Sequence, residues 1–325
     1  MIVPAPPPVS DAPARTAFVG IDWGTTHRRV IALDAHGQLR HAFDDDEGML
    51  RASGRFARVL ERTLERVGPL AAQASVVLSG MVGSAQGWHE VPYLDTAVPL
   101  DRLADHLHRV PDALPGLDCR IVPGYRWRGR DGSVDVMRGE ETQLLGAVAL
   151  GRRDGWFVLP GTHSKWVRLR DGRIERFATY MTGELFALLR EHGTLAPLMQ
   201  EAVDDASAFE RGVVQGGSTA LARALFGCRA QVVAGDLPKA SAQDHLSGLL
   251  IGAEWHDAWR RMADDAAPPC LIGSTELCRR HLHAARVLGV PATALDAHDV
   301  QRAAWNAFRS AGSRGSAREQ ASGAL

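Results

Sequence analysis

One pattern of strand, glycine turn, strand, turn and strand occurs twice in this chain, and such a duplication constrains the architecture before any single element is considered. The first copy runs Ala17-Phe18-Val19-Gly20-Ile21-Asp22-Trp23-Gly24-Thr25-Thr26, continues over Arg29–Leu33, turns between Asp34 and Gly37 and resumes over Leu39–Phe43. The second runs Trp156-Phe157-Val158-Leu159-Pro160-Gly161-Thr162-His163-Ser164-Lys165, continues over Trp166–Leu169, turns at Asp171-Gly172 and resumes over Ile174–Thr179. Apolar residues at period two between Asp/Gly turns predict antiparallel hairpins in both copies. Each copy is expected to open one domain. The length of 325 residues agrees, because a single core tends to split beyond roughly 250 residues.

The boundaries expected are an N-terminal domain over 16–151 and a C-terminal domain over 152–309. Disordered tails are expected at 1–15, rich in Pro and Ala, and at 310–325, rich in Ser, Gly, Ala and Arg. Helical periodicity follows both copies, over Arg55–Arg66 and Leu185–His192, the latter with Thr182 as N-cap. A long helix is predicted over Asp244–Met262, then a strand from Cys270 into a glycine turn at Gly273-Ser274, then a helix over Glu276–Val287. The whole reads as an α/β chain with glycine turns at its strand ends.

Charge and cysteine usage exclude several classes. The formal net charge of −1 supplies no basic field for a nucleic-acid backbone or an anionic membrane. Cys119, Cys228, Cys270 and Cys278 form no Cys-x-x-Cys pair, so neither a zinc site nor a disulfide framework is expected. With no signal peptide and no apolar run of bilayer length, a cytoplasmic location follows as the expectation.

The turns are where chemistry is expected. Backbone N–H groups in a tight glycine turn can approach phosphate oxygens with no Cβ in the way, and neighbouring hydroxyls add donors. Gly24, Thr25 and Thr26 form one such turn, and Gly161, Thr162, His163 and Ser164 the other. Asp22 beside the first would repel phosphate directly, so it either ligates Mg²⁺ through water or fixes the turn, and the metal role is favoured. Lys165 either balances phosphate charge or is a solvated hairpin lysine. Glu140 and Glu141 open an apolar helix after Arg138. They are either dipole-favourable first-turn residues or the carboxylates needed to accept a hydroxyl proton in phosphoryl transfer. Arg138 offers a planar fork for a carboxylate or phosphate. The glycine-rich run Gly80-Met81-Val82-Gly83-Ser84, with Trp88, reads either as a substrate loop or as a plain connection.

These residues resemble the 2-dehydro-3-deoxygalactonokinase family, within the superfamily that joins sugar kinases, actin and the heat-shock chaperone ATPases. The resemblance covers about Phe18 to Ala304. It is carried by Ile21–Thr26, Gly80–Ser84 with Gly87-Trp88, Met137–Gly146, Pro160–His163 with Lys165–Val167, Thr182–Leu185 and Leu246–Glu254. It implies two ribonuclease-H-like (actin-like ATPase) domains, each a mixed sheet flanked by helices, with an interdomain active-site cleft. The implied reaction moves the γ-phosphoryl group of ATP to the 6-hydroxyl of 2-dehydro-3-deoxy-D-galactonate, with Mg²⁺. Gly24, Thr25 and Thr26 then match the first phosphate loop, Gly161, Thr162 and His163 the second, and Gly273 with Ser274 the turn against adenosine. Glu140 and Glu141 fall where many relatives place Gly-Asp, and Glu140 is the favoured base. The Met81–Ser84 loop, Trp88 and Arg138 make the expected sugar-acid pocket.

As partners this reading gives the sugar acid and ATP, no nucleic acid and no membrane, with a homodimer left open. Its competitors are a kinase for another sugar or sugar acid, a phosphatase of the same fold, and a non-catalytic nucleotide-binding switch module. Fold and nucleotide binding do not dictate the acceptor. The acidic pair and the Gly80–Trp88 loop favour an enzyme with a small acceptor.

Overall fold

The structure, a computed structural model, describes residues 16–68, 71–199, 203–261 and 267–322. The tail expected at 1–15 lies outside them. In chain order the first strands are β1 (Thr16–Trp23), β2 (Arg28–Asp34), β3 (Leu39–Asp45), β4 (Ser75–Gly80), β5 (Leu94–Asp95), β6 (His108–Arg109) and β7 (Cys119–Ile121). They are followed by β8 (Tyr125–Arg128), β9 (Val134–Met137), β10 (Gly155–Leu159), β11 (Ser164–Arg170), β12 (Arg173–Tyr180), β13 (Cys270–Leu271) and β14 (Thr293–Ala294). The helices are α1 (Met49–Ala52), α2 (Phe56–Val67), α3 (Glu140–Ala149), α4 (Thr182–Glu191), α5 (Ala206–Ser218), α6 (Leu221–Ala234), α7 (Ala242–Arg261), α8 (Thr275–Val287) and α9 (Ala297–Ser322).

Internal contacts group the chain into two units. One takes Met1–Pro92, Ala104–Gly124 and Trp305–Leu325, and the other takes Tyr93–Leu103 and Tyr125–Ala304. Residues 125–151, expected with the first domain, therefore group with the second repeat copy. The reason lies in side chains distant in sequence. Asp135 of β9 accepts hydrogen bonds from the backbone N–H and the hydroxyl of Thr179 on β12, each at 2.7 Å.

In the first unit the sheet order is β3-β2-β1-β4-β7-β6. The first copy forms the antiparallel set β1, β2 and β3, and β4 joins β1 in parallel. Strand β1 is closed on both faces. Helix α2 packs through Phe56, Val59, Leu60, Leu64 and Val67, the apolar stripe of an amphipathic helix, into the core that holds Val19, Ile21 and Trp23. The other face meets α9, where a Cβ on Gly20 would lie 2.4 Å from the Trp305 ring. Only glycine allows that approach. Helix α9 itself continues to Ser322, so the disordered tail expected from 310 is corrected over 310–322. Ala, Arg, Glu and Gln in this stretch are strong helix formers and outweigh its Gly and Ser.

The second unit repeats the plan with sheet order β12-β11-β10-β13-β14. Here β10, β11 and β12 are antiparallel, and β13 joins β10 in parallel. A further sheet, β5-β8-β9, accompanies it. Helices α5 and α7 approach closely because glycines face backbone on both sides. A Cβ on Gly212 would meet His245 O at 2.2 Å, and one on Gly252 would meet Val213 O at 2.3 Å. That contact seats α7 in the interior, with Leu246, Leu250, Glu254 and Trp255 buried. The N-cap of α4 is Met181 and not the expected Thr182, which is the first helical residue and sends its hydroxyl to Glu254. Among the described residues no helix is long and apolar enough to cross a membrane.

Candidate active site

In the first unit, β1 delivers Asp22 and then the turn Gly24–His27. The turn is closed by a hydrogen bond from Gly24 N to His27 O (3.0 Å). Helix α1 caps it from outside, with Met49 N donating to Gly24 O (2.8 Å) and Leu50 N to Thr25 O (3.1 Å). A Cβ on Gly48 would sit 2.3 Å from the Thr26 carbonyl carbon, so glycine there is a steric requirement. Behind the turn Arg28 is buried, giving Asp45 two hydrogen bonds (3.1 and 2.7 Å) and Thr63 one (2.7 Å). Gly80, at φ +91, brings the glycine-rich loop against the same strand end. Its missing Cβ would lie 2.8 Å from Trp23 O and 3.3 Å from Asp22 Oδ1. Asp22, Gly24–Thr26 and Gly80 therefore converge.

The rest of that loop is built largely for packing. Val82 is buried in the core, Met81 is packed against it, and Trp88 stacks on Phe56 with ring centroids 5.8 Å apart. Gly83 is buried and its carbonyl accepts from Val91 N (3.0 Å). The Ser84 hydroxyl is buried with no hydrogen-bond partner among the described residues.

The second unit carries the larger constellation. The turn Gly161–His163 lies between β10 and β11 and is backed by α4. Glu184 N donates to Thr162 O (2.9 Å), and a Cβ on Gly183 would sit 2.3 Å from Gly161 O. His163 Nε2 meets Glu184 Oε2 at 2.6 Å, with both side chains partly exposed. Ser164, expected among the phosphate donors, is instead closed to solvent and donates its hydroxyl hydrogen to Glu254 (2.6 Å). The strand pleat turns it inward as β11 begins. Lys165 is not a solvated hairpin lysine. It is 4% exposed, and its Nζ lies 3.3 Å from Glu140 Oε1.

Glu140 and Glu141 open α3 as expected, and their surroundings separate them. Glu140 also accepts from Arg138 N (3.0 Å) and remains partly exposed. Glu141 is fully buried, and both its oxygens face Gly139 N (2.9 and 2.7 Å), where the backbone turns at φ +110. Burial, reinforced by the neighbouring Glu140, pushes the Glu141 carboxyl up to about 8. A carboxyl without access to solvent cannot meet a substrate, which leaves Glu140 as the partly exposed member of the pair. The Arg138 guanidinium lies over the Tyr93 ring at 4.3 Å.

Beside the second turn is a concavity of about 230 Å³, lined by Gly161, Thr182, Gly183, Phe186, Leu277 and Arg280 among others. Its walls are apolar with a few polar groups, the lining usual for small-molecule sites. Gly273 packs on Pro160, where a Cβ would sit 3.3 Å from its ring, and Ser274 caps α8 by accepting from Leu277 N (3.4 Å). Both thus hold α8 in place beside the concavity. Glu254 received no role in the sequence reading. A signal was present, since Leu246, Leu250 and Glu254 recur at every fourth position and place a carboxylate on the buried stripe of α7.

Two sheets of one topology, each with a glycine-threonine turn after its first strand, define an actin-like ATPase fold of the sugar-kinase type. A profile of the 2-keto-3-deoxy-galactonokinase family matches residues 22–307, and the chain belongs to that family. A Rhizobium meliloti (strain 1021) protein named as a probable 2-dehydro-3-deoxygalactonokinase is 37% identical over 297 residues, covering 89% of this chain and 95% of the relative. The Escherichia coli (strain K12) protein named 2-dehydro-3-deoxygalactonokinase is 35% identical over 284 residues, covering 86% and 92%. A crystal structure from Sinorhizobium meliloti carrying the same kinase name superposes with a TM-score of 0.83 at 36% identity, covering 90% of this chain and 96% of that one. Component A of the (R)-2-hydroxyglutaryl-CoA dehydratase of Acidaminococcus fermentans, at 13% identity and a TM-score of 0.51, shares the fold alone.

Proposed function

We propose that the chain transfers the γ-phosphoryl group of ATP to the 6-hydroxyl of 2-dehydro-3-deoxy-D-galactonate, giving the 6-phosphate. Membership of the family and the names of relatives at 35–37% identity support this acceptor. The observation that carries the mechanism is the contact of Glu140 with Lys165, which joins a carboxylate at a helix N-terminus to a buried cation just past a glycine turn.

In this reading the N–H groups of Gly161–His163 and of Gly24–Thr26 take phosphate oxygens. The Lys165 ammonium offsets charge on the transferring group, and Glu140 accepts the proton of the attacking hydroxyl. Adenosine occupies the concavity between Phe186 and Leu277, and Arg138 pairs with the carboxylate of the sugar acid. A neutral hexose has no carboxylate to offer that guanidinium, which is the basis of discrimination. Asp22 lies near the end of β1 beside the Gly24–Thr26 turn, where its carboxylate would hold an Mg²⁺ through water. A bound Mg²⁺ supplies charge neutralisation at the β and γ oxygens. Action in the cytoplasm fits a reaction drawing on ATP.

The test is a coupled assay with ATP, Mg²⁺ and a panel of 2-keto-3-deoxy sugar acids and neutral hexoses, with the product position read by NMR. Selective turnover of the galactonate-derived acid to a 6-phosphate is expected. Equal turnover of neutral hexoses would remove the acceptor assignment.

A further inference from the structure

We infer that Glu254 is the positioning residue of the second phosphate turn, acting through Ser164 and Thr182 to set the backbone that receives ATP. The inference rests on the kinase reading above.

Glu254 is 2% exposed, yet among the described residues no Lys or Arg forms an ion pair with it. His281 Nδ1 lies 3.9 Å away but accepts a hydrogen bond from Trp255 Nε1 (3.1 Å), so that nitrogen carries no proton to offer. Compensation comes instead from three donors. Ser164 Oγ (2.6 Å) and Trp166 Nε1 (2.8 Å) both donate to Oε1, and Thr182 Oγ1 donates to Oε2. A buried carboxylate is tolerable only when its lone pairs are filled in this way.

The donors lie on the two segments that grip Gly161–His163. Ser164 is the residue immediately after the turn. Thr182 immediately precedes Gly183, whose backbone touches the turn, and Glu184, whose N–H holds Thr162 O. One carboxylate thus ties together the strand that leaves the turn and the helix start that backs it, with α7 as the fixed reference. Glu254 and Ser164 are both closed to solvent, so neither can touch a nucleotide. Any effect of either on ATP is indirect, through the turn or through Thr182 at the wall of the concavity.

The experiment measures ADP affinity by calorimetry, KM for ATP and for the sugar acid, and Tm, on wild type, Glu254→Leu, Glu254→Gln, Ser164→Ala and Thr182→Val. Leucine removes all three acceptor contacts and is expected to weaken ADP and raise KM for ATP about tenfold, the scale of a lost charge-assisted hydrogen bond. KM for the sugar acid should move by less than about twofold, because the Glu140 and Arg138 surroundings are untouched. Glutamine should restore near-normal values. Its oxygen can accept from Ser164 and Trp166 while its amide donates to the Thr182 hydroxyl, whereas the Trp166 N–H cannot reverse. Ser164→Ala and Thr182→Val should each weaken ADP by a few fold. A folded Glu254→Leu that binds ADP like wild type would overturn the inference, as would equal rises in both KM values. Should Glu254→Leu fail to fold, Ser164→Ala with wild-type ADP affinity overturns it instead. A wild-type protein that phosphorylates no acceptor and binds no ADP would sink the kinase reading itself, a different outcome from selective failure of the variants.

Discussion

The two glycine-threonine turns sit at the same place in two copies of one sheet topology, and a buried cation follows each, yet the buried charges around them are held differently. Under Gly24–His27 the buried charge is a cation, Arg28, satisfied by Asp45 and Thr63. Beside Gly161–His163 there are two, the cation Lys165 paired with Glu140 and the anion Glu254, satisfied by Ser164, Trp166 and Thr182. What the turns share is backbone. In each, N–H groups at the start of the next helix donate to turn carbonyls, and a glycine, Gly48 or Gly183, lies where a Cβ would strike the turn. The steric frame is common to both halves, and the means of holding it in place was solved separately in each. The second half also brings Glu140 and Lys165 together just past its turn.

The largest test of that asymmetry is Glu140→Gln. It should cut kcat by about 10²-fold or more while ADP binding stays intact, as expected of a general base. Near-normal turnover would move the chemistry elsewhere and erase the difference between the halves. Next in size are Gly48→Ala and Gly183→Ala. In each the new Cβ would fall 2.3 Å from turn backbone, and overpacking of this kind costs about 1–3 kcal/mol. Both should lower Tm and raise KM for ATP; an effect from only one would show that the shared frame is not shared in function.

Arg28→Met examines the cationic support. It leaves Asp45 and Thr63 without their donor and should cost about 1–3 kcal/mol in denaturant unfolding, the usual range for a stranded buried polar group. Burial pushes the Asp45 carboxyl up, but hydrogen bonds and charge from Arg28 outweigh it and hold the group below its ordinary value. Its stabilisation is therefore present above about pH 4, the ordinary carboxylate value, and is lost as pH falls through the lower folded value. The acid limb of stability should be shallower in Arg28→Met than in wild type.

A separate, pH-dependent effect concerns Glu141, whose folded carboxyl is raised to about 8 from an ordinary value of 4.5. Between those values the unfolded chain has released a proton that the folded chain retains, so stability falls as pH rises. Tm of wild type should decline from pH 5 to pH 8, and Glu141→Gln should flatten that decline. Parallel profiles for the two proteins would remove the assignment.

Much of this was legible in the residues. The duplicated strand-turn grammar predicted both hairpin sets, and the apolar spacing placed α2, α7 and α8 to within a few residues. Glu140 and Glu141 were recognisable as a pair opening a helix, but periodicity could not say which is buried, because that depends on what packs against α3. Ser164 and Lys165 looked alike as polar residues after a turn. The pleat sends Ser164 to Glu254, and Lys165 is covered and paired with Glu140.

The sequence by itself determined the two copies of the sheet, the position of both glycine turns and the carboxylate pair, since each rests on local spacing and backbone freedom. Tertiary structure alone decided that residues 125–151 join the second unit, that Trp305 closes over Gly20, and that Glu254 holds a turn 90 residues earlier in the chain. Those contacts join groups with no local pattern between them. Which buried donor meets which acceptor is settled only when the helices and sheets have packed.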